Sequence, residues 1–127
     1  MVAFEPSPVL LEMLRYHQRR NRMHQMTVVG SAVTETDGEL RILHLLNGGL
    51  STRNSLTIGR PQLPFLESAE RTVALVSTVR LDTYYEKYEV APDVINIDVE
   101  GAEGIVLRGA PAILRRSRPV LVVSMYP

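Results

Sequence analysis

Along this chain, short apolar runs alternate with stretches of helical spacing. Val94, Ile95, Asn96 and Ile97 form a mostly apolar run that stops at Asp98, and the residues after it hold two more acids and small turn residues before apolar helical spacing begins. The pattern predicts a strand, a tight turn and a helix across Asp93–Ala110. In an open α/β sheet, ligands sit in the crevice beyond the carboxyl ends of the strands, which directs Asp98, Glu100 and Glu103 towards that crevice. Acids in a first helical turn are favoured by about 0.3 to 1 kcal/mol each, so Glu100 and Glu103 are also explained as helix-start residues. Asp98 directly follows an apolar strand, where an acid costs free energy unless a donor or cation meets it. It is the acid best read as functional.

The same reading extends to the rest of the chain. Met1 to Phe4 predicts a strand, Ser7 an N-cap, Pro8 a first helical residue, and the helix runs to about Arg20 with Asn21 at its end. Leu10, Leu14 and His17 fall on one stripe of that helix, with Leu11 and Met13 at its margins. Glu5 lies at the carboxyl end of the strand, where an acid typically accepts hydrogen bonds from ribose hydroxyls; an acid near a helix N-terminus is the plainer account. Thr27–Val33 predicts a second strand, with Gly30 marking a bulge or a close approach by ligand or backbone. Thr36, Asp37 and Gly38 make a turn, and Glu39–Leu46 alternates as an antiparallel addition, with Leu40, Ile42 and His44 on one face.

Asn47–Arg60 is rich in Gly, Ser and Asn and predicts a loop or lid, and Pro61 and Pro64 break the stretch after it. Arg71–Leu81 is a β-branched strand, after which Asp82 caps a helix over Thr83–Tyr88. Gly109 and Pro111 split the later helical pattern into a segment ending at Arg108 and another over Pro111–Arg116. Pro119–Val123 predicts a last buried strand.

Composition narrows the chemistry. The chain has 127 residues, 45% of them apolar, which fits one modest domain, and its fourteen basic and fourteen acidic residues cancel. Overall charge therefore supplies no pull towards nucleic acid or membrane. Without cysteine there is no disulfide framework and no thiolate chemistry. No apolar run reaches the roughly 20 residues of a membrane-spanning helix, and no secretory signal pattern opens the chain, which leaves a cytoplasmic protein as the expectation. His17, His24 and His44 lack metal-ligand spacing, so no metal is expected. Neither a GxSxG elbow nor a GxxxxGK[ST] loop occurs.

Three blocks, VAFEPSPVLLEMLRYHQRRN, VINIDVEGAEGIVLRGA and RPVLVVSMYP, together resemble the FkbM family of S-adenosylmethionine-dependent methyltransferases over nearly the whole chain. The resemblance implies an α/β, Rossmann-like class I methyltransferase fold running from the family's second core strand through its fifth. It places Glu5 on the cofactor ribose, Ser31 and Ala32 near the adenine, and Asp98 at the methionine end of S-adenosylmethionine, with Glu100 and Glu103 as further site acids. The implied reaction is O-methylation of a hydroxyl on a sugar, lipid-linked or secondary-metabolite substrate.

Two departures bear on this. Asn96 stands where the family usually has a lysine two residues before the acid. The glycine-rich loop after strand one and the final strands have no counterpart, so a truncated domain completed by a partner chain or an N-terminal segment is the expectation. A non-catalytic remnant or interaction module of the same fold is the alternative. A nicotinamide oxidoreductase shares the Glu5 signal but lacks the Tyr-x-x-x-Lys spacing, since Tyr84 and Lys87 are three apart.

Overall fold

The computed structural model describes residues 1–38, 40–46, 55–56 and 71–124, and of 40–46, 55–56 and 71–73 the backbone alone. The chain forms two compact units, Met1–Ala32 with Leu40–Ser77, and Val33–Glu39 with Thr78–Pro127.

The first unit opens with a β-α-β segment. β1 (Val2–Phe4) pairs in parallel with β2 (Thr27–Val29), and α1 (Pro8–Arg20) connects them. As the residues predict, Ser7 is the N-cap, Pro8 the first helical residue and Asn21 the C-cap. Ser7 is fully buried; its carbonyl accepts Leu11 N–H at 2.8 Å and its side chain faces Leu10 N–H at 3.5 Å. Leu10, Leu11 and Leu14 form the half-buried stripe of α1, but His17 is exposed and Gln18 takes the inner position, donating to Met26 O.

The strand predicted over Thr27–Val33 is two strands. After β2 the chain turns at Gly30–Ser31, and β3 (Ala32–Val33) joins a different sheet, of order β3-β6-β4-β5. A Cβ on Gly30 would lie 2.7 Å from Leu11 Cδ2, so what approaches this glycine is a side chain of α1 and not the backbone. In that sheet β4 (Leu40–Leu46) runs antiparallel to β6 (Arg71–Val79), from Leu40 opposite Ser77 to Leu46 opposite Arg71, and to β5 (Ser55–Leu56). Ala32 and Val76 are buried together in it, with Ala74 packed on them. β5 falls inside the stretch predicted as a loop; the remainder of that stretch, Pro61 and Pro64, and the faces of Leu40, Ile42 and His44 lie outside the described residues and side chains.

The second unit holds α2 (Leu81–Tyr88), β7 (Val94–Ile97), α3 (Glu103–Arg108), α4 (Pro111–Ser117) and β8 (Val120–Val123). β7 and β8 pair in parallel, Val94 opposite Val120 through Ile97 opposite Val123. Ile95 and Ile97 are buried while Val94 and Asn96 point out. The inward isoleucines, with Leu81, Tyr84, Tyr85, Ile105, Val106 and Ile113, are the large apolar side chains this unit removes from water. Each is worth about 1.5–3 kcal/mol if wholly buried.

Two expectations are corrected here. β8 is not a buried strand: Val120, Leu121 and Val122 are all exposed. A β-branched run specifies a strand but not whether both faces are covered. Nor does Asp82 cap its own helix. α2 begins slightly earlier than predicted, with Arg80 as N-cap, and Asp82 lies in its first turn. Its carboxylate accepts Ala112 N–H at 3.0 Å and Ile113 N–H at 2.8 Å, closing the start of α4, where the N-cap Ala110 has no acceptor side chain. α2 is closed from a distance in the same way. Asp37 accepts Arg80 N–H and the Thr83 hydroxyl, both at 2.7 Å.

Candidate functional site

Glu5 stands immediately after β1, and its N–H donates to Val29 O at 3.0 Å, carrying the parallel ladder one residue past the strand. The chain must leave the sheet here because Pro6 has no N–H and Pro8 opens α1. Glu5 Oε1 accepts Ser7 N–H at 2.8 Å, which fixes the carboxylate at the head of the helix. Burial pushes the Glu5 carboxyl above its ordinary value, and the bond from Ser7 opposes that shift. With one oxygen so occupied, the other is suited to accept hydrogen bonds from hydroxyls.

Ser31 and Ala32 belong to the same unit but differ in what they offer. The Ser31 hydroxyl shares a 2.9 Å hydrogen bond with that of Ser77. Ala32 is 2% exposed and packed against Val76, so only its backbone is available to a ligand.

In the second unit, Asp98 is exposed one residue past β7, while the ladder continues as Ser124 N–H donates to Ile97 O at 3.0 Å. A tight turn comes next, closed by Ala102 N–H donating to Val99 O at 3.3 Å, with left-handed backbone at both central residues, Glu100 (φ 51) and Gly101 (φ 97). That is the pattern of a type I′ turn, which suits Gly101 and costs Glu100 about 1–2 kcal/mol. Strain of this kind tends to persist where a structure needs a side chain held in place. Glu103 Oε1 accepts Gly101 N–H at 3.0 Å, so this acid ties the turn to the start of α3.

The sequence therefore brings Asp98, Glu100 and Glu103 into one strand-turn-helix segment as predicted, and within it Glu103 has a structural partner. Asn96 faces outward on β7. Among the described residues no group of three or more His, Asp or Glu side chains is placed to hold a metal ion. Sequence reasoning gave Asp37 no role beyond its turn. Its partners are 43 and 46 residues away, beyond the range of any local signal.

Parallel strands linked through helices, with acids just past their carboxyl ends, define an α/β protein. The sequence matches the Methyltransferase FkbM domain over residues 1–127. The chain belongs to the FkbM family of methyltransferases, and that membership implies a class I methyltransferase fold. No curated protein and no solved structure matches it. Among the described residues no helix is long and apolar enough to cross a membrane.

Proposed function

We propose that this chain acts in methyl transfer from S-adenosylmethionine to a hydroxyl of a small molecule or glycan, on a Rossmann-like class I framework. The observation that carries the reading is Glu5: an acid one residue past a parallel strand, one carboxylate oxygen anchored by Ser7 N–H at 2.8 Å and the other suited to a diol. That geometry fits the ribose of the cofactor. Ser31, by its hydroxyl, and Ala32, by its backbone, are assigned to the adenine side. S-adenosylmethionine, when bound, supplies an electrophilic methyl on a sulfonium.

Displacement at such a methyl asks the protein to orient an acceptor and to take up its proton. Asp98 is assigned that task, as an exposed carboxylate at the end of a strand whose two isoleucines anchor it in the core. Glu100, held by an unfavourable backbone conformation, lines the same turn, and Glu103 maintains it. A non-catalytic module of the same fold is the competing reading.

Titration calorimetry with S-adenosylmethionine tests the proposal. Binding that weakens at least tenfold in Glu5→Ala, and that is lost as pH falls through the raised Glu5 pKa, supports it, because the protonated acid gives up acceptor capacity. Undiminished binding by Glu5→Ala refutes the assignment of the ribose.

A further inference from the structure

The equal numbers of acids and bases in this chain conceal an uneven distribution. No acid occurs between Glu12 and Glu35, an interval holding Arg15, Arg19, Arg20, Arg22, His17 and His24. All six of these side chains are exposed. Arg80 and Arg108 make ion pairs, with Asp82 and Glu35, whereas those four arginines make none among the described residues. Cations complement the C-terminus of a helix, which accounts for Arg19 and Arg20. It does not account for Arg15, more than a turn earlier, or for Arg22 and His24 beyond the helix end.

Three large apolar side chains share this surface: Met13 is 44% exposed, Tyr16 56% and Met23 40%. Met13, Tyr16, Arg19 and Arg20 are spaced at three and four residues, so they stand together on the outward side of α1, opposite half-buried Leu10, Leu11 and Leu14. Glu12, four residues before Tyr16 and seven before Arg19, is the one acid on this face.

We propose that this outward face of α1, with the turn after it, docks on an anionic phospholipid bilayer. The arginines meet lipid phosphates while Met13, Tyr16 and Met23 enter the headgroup region. Charge complementarity selects a polyanion, and the apolar side chains select a membrane over a nucleic acid. Methionines adapt to a fluid interface but offer no ring plane for a base to stack on, and a lone tyrosine suits the headgroup level. Such docking lies on the membrane surface and needs no spanning helix. Glu5 precedes α1 whereas Arg19 to His24 end or follow it, about 20 Å away along the helix. The Arg19–His24 end of this face is therefore set apart from Glu5.

The test is co-sedimentation of the full chain with phosphatidylcholine vesicles made with and without phosphatidylserine, beside anisotropy on a labelled single-stranded oligonucleotide. The expected result is salt-sensitive partitioning onto the phosphatidylserine vesicles alone. Each arginine near an anionic surface contributes roughly fivefold, so Arg19→Ala with Arg20→Ala weakens partitioning about 25-fold. Tyr16→Ala with Met23→Ala weakens the binding that persists at high salt, and circular dichroism verifies that both variants fold. Equal partitioning onto neutral vesicles, indifference to loss of the arginines, or tighter capture of the oligonucleotide would overturn the proposal.

Discussion

Replacing Asp82 with alanine is a direct test of how the second unit is held together. The wild-type carboxylate accepts two backbone N–H groups at the start of α4, at 3.0 and 2.8 Å, and lies 3.5 Å from the Arg80 guanidinium. Loss of a helix cap costs typically about 1 kcal/mol and up to about 2, with the upper end fitting two bonds to a charged acceptor. The partly exposed Arg80 pair adds at most about 1 kcal/mol. The sum is about 2–3 kcal/mol, a large share of the roughly 5–15 kcal/mol typical of a domain. For a chain of this size it corresponds to a fall in Tm of about 8–12 °C. Asp82→Asn keeps one acceptor oxygen and falls by roughly half as much. Far-ultraviolet circular dichroism in urea and on heating reads both variants. A loss below about 0.5 kcal/mol in Asp82→Ala, within the range of an ordinary surface substitution, would refute the assignment of this acid to α4.

Three further outcomes are expected. Asp98→Asn lowers turnover by about 10²-fold or more with the fold intact, the usual contribution of a positioned proton acceptor, while Glu103→Gln costs at most about 1 kcal/mol in stability; steady-state kinetics showing the reverse order would move the chemistry into the turn. Because burial raises the Glu5 carboxyl above 4.5, the folded chain holds that proton more tightly than the unfolded chain. Stability therefore falls as pH rises from the unfolded pKa through the higher folded one, and Glu5→Gln removes the fall; parallel urea midpoints for the two proteins across that window would contradict this. A Cβ on Gly109 would lie 2.1 Å from Thr34 O, a backbone atom that cannot rotate away, so Gly109→Ala costs at least about 2 kcal/mol. Gly104→Ala meets only the end of Arg108, and thermal melts in which it was the more damaging of the two would sink that reasoning.

The summed charge gave no reason to expect a polyanionic partner, and the sum is correct. Its distribution matters more, because α1 turns Arg19 and Arg20 outward beside Tyr16 and Met13, while Glu35 is paired with Arg108 elsewhere in the chain. Net charge averages over surfaces that a partner meets one at a time.

Local chemistry determined most of the elements. Ser7 and Pro8 define where α1 starts, the alternation over β4 gave its antiparallel role, and the Asp93–Ala110 segment is the strand, turn and helix that its residues predict. Each of these depends on neighbours within four residues or on a simple period, and both are visible in a linear sequence. The features that the sequence did not determine depend on distant partners. Asp82 closes α4 and Asp37 closes α2 because the folded chain delivers unpaired N–H groups to whichever carboxylate is nearest in space. Thr27–Val33 divides because β2 and β3 serve different sheets. The apolar run of β8 stands exposed because hydrophobicity states a preference for burial, and only the packing of other layers decides whether that preference is met.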